Sequence, residues 1–178
     1  NTSAEENRDE GYKGTFTAST GKTYKEYKQS LGPWKNLSYS QGTISNSGCG
    51  PTSVGIIVNG YGGQANVGEI AQFMKGPTDG NNIKKALKNF ANLDSTVYSS
   101  GSNFAEIIKN NLTQGKPVIV SVSGTPTTTF TKNGHIMAVL DINSNNQVWV
   151  SNPNRATKNG WVDLDFLVKH MKSKYMIA

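Results

Sequence analysis

The spacing of hydrophobic positions along this chain changes near residue 115. Before that point they recur with a helical period; after it they form short, nearly continuous runs. Pro51 suits a first helical turn, where its missing N–H would be unpaired anyway, so the Thr-Ser-Val-Gly-Ile-Ile-Val that follows predicts a helix from about Pro51 to Asn59. A second helix fits Val67 to Lys75. A third fits Asn81 to Phe90, with Ile83, Leu87 and Phe90 at helical spacing, and a fourth fits Asn103 to Leu112, closed by Gly115. Strands are predicted at Pro117 to Val122, Gly134 to Ile142 and Gln147 to Ser151, the last two joined by the hairpin chemistry of Asn143-Ser-Asn-Asn146. A short helix near Asp163 to Met171 and a strand at Tyr175 to Ile177 complete the pattern. Helices first and strands second predict an α+β fold, a helical N-terminal part packed on an antiparallel sheet.

Residues 1 to 22 are polar, with isolated aromatics and no sustained period, and read as a tail or the remnant of a linker from a larger protein. The domain is expected over residues 23 to 178. Tyr24 to Leu31 reads as a short helical turn stopped by Gly32-Pro33, with the compact part starting near Trp34. At 178 residues and 35% hydrophobic content the chain has room for one core. It holds no run of roughly 18 apolar residues, so no transmembrane segment is expected. Nor does it start with the basic and apolar stretch of a secretion signal.

A formal charge of +6 favours an anionic partner such as nucleic acid, a lipid surface or a bacterial wall polymer. The lysines are scattered, however, in the groups Lys22, Lys25 and Lys28; Lys84, Lys85 and Lys88; and Lys169, Lys172 and Lys174. Arginine occurs only at Arg8 and Arg155. This is not the footprint of a nucleic-acid binder.

The single cysteine, Cys49, excludes an internal disulfide and a multi-thiolate metal site. A thiol becomes a good nucleophile when a helix N-terminus or a nearby imidazolium favours its thiolate. Cys49 stands at the lip of the Pro51 helix between Gly48 and Gly50, which leave space for a substrate carbonyl, and its own N–H faces where an oxyanion would develop. The base must be His135 or His170. His170 lies in the terminal helix, where a structural role is expected. His135 opens an otherwise apolar strand, and a polar ring placed there needs partners.

With the hairpin loop centred on Ser144-Asn145, Met137 faces Asn152 and His135 faces Asn154, which sets Asn152 diagonal to His135 on one face. A shift of one residue would turn both asparagines away, so register decides the orienting residue and Asn154 competes with Asn152. Asp141 shares the face but lies roughly 20 Å along the strand.

Ser40-Gln41, then Ser47-Gly48-Cys49-Gly50-Pro51-Thr52-Ser53, then Gly134-His135, then Val150-Ser151-Asn152-Pro153 resemble the papain-fold peptidases typified by bacteriocin leader-processing proteases, especially their stand-alone secreted relatives. The resemblance spans about residues 34 to 178. It implies a papain-like fold with Cys49 as nucleophile, His135 as base, Asn152 as its orienting partner and Gln41 as an oxyanion donor through its side-chain amide. Relatives often carry Asp where this chain has Asn152. No cofactor or metal is implied. The expected substrate is a protein or a peptidoglycan peptide, cut by a secreted or cell-surface enzyme of a Gram-positive bacterium that forms part of a larger multidomain protein. A wall-specific endopeptidase or amidase, a transamidase using the same groups, and a non-catalytic peptide- or wall-binding module are the competing readings.

Overall fold

Strands with nearly continuous apolar runs need cover on both faces, and the chain supplies it from two sets of helices. The computed structural model describes residues 2–8, 10–124, 129–171 and 175–178, so Lys172 and Lys174 of the last lysine group lie outside it. In chain order the elements are β1 (Thr2–Asn7), β2 (Tyr12–Thr17), β3 (Thr23–Tyr27), β4 (Ser38–Tyr39), β5 (Gly42–Thr43), α1 (Ile44–Ser47), α2 (Cys49–Gly60), α3 (Val67–Met74), α4 (Gly80–Ala91), β6 (Val97–Tyr98), α5 (Phe104–Thr113), β7 (Val118–Ser123), β8 (Gly134–Ile142), β9 (Gln147–Ser151), β10 (Gly160–Asp163), α6 (Leu164–His170) and β11 (Met176–Ile177). Each long helix and central strand predicted from periodicity is present with ends shifted by at most two residues.

Among the described residues the main sheet has six strands in the order β10-β9-β8-β7-β11-β6, every neighbouring pair antiparallel. Alternate residues face opposite ways. Ile119, Ile136, Ala138, Trp149 and Ile177 join the core built with α2, α3 and α4, while Val118, Val120, Met137, Val139, Val148 and Val150 join the one built with α5 and α6. Asn66, Asp79 and Asn103 accept hydrogen bonds from first-turn N–H groups to start α3, α4 and α5.

The N-terminal region departs from expectation. Strands β1, β2 and β3 form a three-stranded antiparallel sheet, and the Tyr24–Leu31 segment expected to turn as a helix contains β3 instead. In β2 the buried alternate positions are Gly14 and Phe16, and in β3 they are Tyr24 and Glu26. Small and charged residues at inward positions conceal the two-residue period. Phe16 stacks on Trp149 at 4.2 Å, and Trp161 meets both rings edge-on. Ser19 donates through its N–H and hydroxyl to buried Asp141, and Arg155 pairs with Glu6. Tyr24 lies against Gly60, where any side chain would collide with its ring, so α2 and β3 pack closely.

Because Phe16 is 2% exposed, Phe16→Ala is expected to lower the unfolding free energy in urea by about 3–4 kcal/mol. A residue in a solvated tail would change it by less than about 0.5 kcal/mol.

Candidate active site

Cys49 is the first residue of α2, and α2 is buried from Gly50 through Val58. Gly48 precedes it without a side-chain cap, so the opening N–H groups of the helix are left for another acceptor. The N–H groups of Cys49 and Gly50 act on the Cys49 sulfur and favour its thiolate, as does the N–H of Ile136 on β8. Ser53, one turn further on, donates to the Ile136 carbonyl at 3.2 Å. The start of α2 is therefore held against β8 one residue from His135. Thr78 fills the space beside Gly50, which could not carry a side chain without displacing it, and Thr78 is tied to the Tyr39 hydroxyl at 2.6 Å.

On the sheet side, a loop one residue longer and a bulge cancel each other. At the loop end the pairs are Ile142 with Val148 and Asp141 with Trp149, so the hairpin is centred on Asn145, half a residue later than the sequence suggests. The register then shifts at Leu140, and Val139 pairs with Val150 and Ala138 with Ser151. The bulge restores the expected alignment at the far end of the strand. His135 Nε2 meets Asn152 Oδ1 at 2.6 Å, both residues buried. Asn154 is not the side chain that reaches the ring: its N–H also donates to Asn152 Oδ1, at 2.9 Å, and its own side chain accepts from Ala156.

These contacts assign the imidazole tautomer. Asn152 Nδ2 donates to Thr157 Oγ1 and to the Lys158 carbonyl, both at 2.9 Å, while its Oδ1 accepts from the Asn154 N–H. Flipped, the amide oxygen would face the Lys158 carbonyl and the NH2 group would face the Asn154 N–H, two pairs that cannot hydrogen-bond, so the amide cannot be flipped. Oδ1 thus faces His135, Nε2 carries the hydrogen, and Nδ1 keeps the lone pair that can take a proton.

Gln41 sits with Ser40 (φ 55) in the turn between β4 and β5, exposed, while the next residue, Gly42, rests against Ser47 in the segment leading to Cys49. His170 is fully buried among Phe130 and Phe166, its Nδ1 2.9 Å from the Phe166 carbonyl. Asp141 is occupied by Ser19. Among the described residues no three His, Cys, Asp or Glu side chains gather as a metal would need. Sequence reading missed Lys28 and Asn159, which bind the main chain of Asn152, Glu26, which binds Asn159, and Tyr39, Thr78 and Tyr175, which lie near Cys49. Tyr175 is pushed up to about 12, first by burial and then by the nearby Cys49, Asp79 and Tyr39.

Burial pushes the Cys49 thiol up, against the pull of the three N–H groups, and pushes the His135 imidazole down, with the Asn152 bond opposing and the Lys28 ammonium adding to the fall. Each charge alone is disfavoured by desolvation. Proton transfer from thiol to imidazole would create two opposite charges together, which costs less than creating either singly. For stability, the sign follows from the depressed histidine. An unfolded chain takes up a proton near the ordinary value of 6.5 while folded His135 does not. Stability is therefore retained above that pH and lost as pH falls below it. The unfolding free energy is expected to drop there by up to about 1.4 kcal/mol per pH unit for this group, and His135→Asn should remove that share of the decline in denaturant titrations.

Structural neighbours have the same architecture at low identity. The peptidase domain of Streptococcus ComA, a bifunctional ABC transporter of a quorum-sensing pathway, matches with a TM-score of 0.56 at 20% identity, covering 79% of this chain and 94% of that one. A C39-like peptidase from Bacillus anthracis gives 0.53 at 13% identity, over 74% and 88% of the two chains. A double-glycine-motif protease from an AMS/PCAT transporter, crystallised with its leader peptide, gives 0.52 at 12% identity, over 72% and 81%. No curated protein matches the sequence. The α+β arrangement is that of the papain-like C39 peptidase domains. The model of the Peptidase_C39-like family matches residues 22–176, and the chain belongs to this family of cysteine peptidases.

Proposed function

We propose that the chain hydrolyses peptide bonds through Cys49, His135 and Asn152. The observation that carries this reading is the Asn152 amide, which cannot be flipped and leaves Nδ1 of His135 as the basic nitrogen. The Cys49 sulfur attacks the amide carbonyl as its proton passes to His135. The C–N bond breaks as His135 returns that proton to the amine. Water, losing a proton to His135, then attacks the thioester; the C–S bond breaks and the thiol is restored. The Cys49 N–H and the Gln41 side-chain amide are the donors assigned to the oxyanion. Asn in place of Asp behind the histidine orients the ring without adding a negative charge.

The substrate is a protein or the peptide stem of a bacterial wall, met at the cell surface or outside the cell. The net charge of +6 supports an anionic envelope. No described helix is long and apolar enough to cross a membrane. The chain is read as one unit of a larger protein, as the ComA peptidase domain is one part of its bifunctional transporter.

Wild type and Cys49→Ala, incubated with purified peptidoglycan and with a peptide library, should differ by mass spectrometry, with new termini only in the wild-type digest. His135→Ala should slow that cleavage by roughly a hundredfold or more. New termini in neither pool, or the same termini from Cys49→Ala, would overturn the assignment.

A further inference from the structure

Two charged side chains lie buried beside the His135–Asn152 pair without touching the ring. Glu26 and Lys28 are each 3% exposed. Burying an ammonium costs several kcal/mol unless the surroundings repay it, and a methionine would fill the same volume at less cost. Lys28 Nζ donates to the Asn152 carbonyl at 2.6 Å and to Asn159 Oδ1 at 3.2 Å. That same Asn159 oxygen accepts the Asn152 N–H at 2.7 Å, and Asn159 Nδ2 donates to Glu26 at 3.1 Å. The Trp149 indole also donates to Glu26, at 3.1 Å. The Gln29 N–H binds the Pro153 carbonyl at 3.0 Å, which fastens the chain after β3 to the residue after Asn152.

The placement explains the need for these contacts. Strand β9 ends at Ser151, so the ladder with β8 does not hold the peptide groups of Asn152. Asn159 takes its N–H and Lys28 its C=O, the two bonds that a residue in an antiparallel ladder exchanges with its partner strand. The side-chain amide of Asn152 reaches His135 from this main chain, with Thr157, Lys158 and Asn154 bound to the amide itself.

We propose that Lys28 and Asn159, braced by Glu26, are positioning residues that replace the sheet ladder at Asn152 and so keep its amide on His135. This rests on the catalytic reading of Cys49, His135 and Asn152 given above. The charged groups facing Lys28 are Glu26, which favours its ammonium, and Lys13 on β2, which opposes it, with His135 across Asn152; burial brings Lys28 down to about 8.

The test uses the full chain with 15N-labelled histidine and two readouts, neither of which requires the natural substrate. One is the exchange rate and titration of His135 Nε2–H by NMR; the other is the rate of Cys49 alkylation by iodoacetamide at pH 7. Lys28→Met and Asn159→Ala should each speed Nε2–H exchange and slow alkylation by roughly ten- to a hundredfold, whereas Lys28→Arg, which keeps a charged donor but on a larger, forked head, should lose less than Lys28→Met in both readouts. His135→Ala supplies the reference. If it leaves alkylation unchanged, the catalytic reading itself fails. If it slows alkylation while Lys28→Met and Asn159→Ala match wild type in both readouts, the positioning role is overturned and the catalytic reading stands. A Lys28→Met chain in which His135 titrates higher while Nε2–H stays protected would show that Lys28 acts only through its field, which also overturns the proposal. Should Lys28→Met fail to fold, Asn159→Ala decides alone, since it leaves the ammonium in place.

Discussion

The arrangement around His135 depends on one buried amide that has a single allowed orientation. Asn152 is fully buried, and each of its polar groups has a partner: its N–H and C=O on Asn159 and Lys28, its Nδ2 on Thr157 and Lys158, its Oδ1 on Asn154 and His135. An unmet polar group at such depth costs about 1–3 kcal/mol, so these bonds hold or fail largely together. The tautomer of His135 follows from them, and with it the ring nitrogen that keeps a free lone pair.

One backbone device sets that amide against His135, and another sets Cys49 against β8. The bulge at Leu140 takes up the extra residue of the β8–β9 loop, so Asn152 lies diagonal to His135 instead of on the opposite face. On the other side, α2 begins at Cys49 itself and is buried for most of its length, which fixes the sulfur relative to Ile136 and leaves early N–H groups free to favour the thiolate. Burial opposes both charges of a thiolate–imidazolium pair, and oriented N–H groups and the Asn152 amide offset that cost. The site is a desolvated one, with its dipoles set before any substrate arrives.

The three N-terminal strands belong to the same construction. Phe16 stacks on Trp149 of β9, Trp149 donates to Glu26 of β3, and Glu26 braces Asn159, so contacts run unbroken from the outer sheet to the Asn152 loop. Gly60 lets Tyr24 lie against α2, which carries Cys49 at its other end. Phe16 and Ser19, from the segment that looks like a solvated tail, are thereby packed against β9 and β8.

By itself the sequence determined the elements with a strong hydrophobic period. The long helices and β7, β8 and β9 were legible because their apolar positions repeat without interruption, and Cys49 was legible because Gly-Cys-Gly-Pro marks a helix start around the chain's single thiol. Strands β1 to β3 were not legible: Gly14, Glu26 and Lys28 occupy inward positions, and their burial is favourable only once Trp149, Asn159 and Asn152 are present to receive them. The choice between Asn152 and Asn154 was likewise beyond the sequence. A hairpin register one residue off reverses every side chain, and the bulge that restores it at Leu140 leaves no local mark. Tertiary structure decided the surroundings of His135, because a buried polar residue is selected by partners that lie more than a hundred residues away along the chain, such as Lys28 on Asn152.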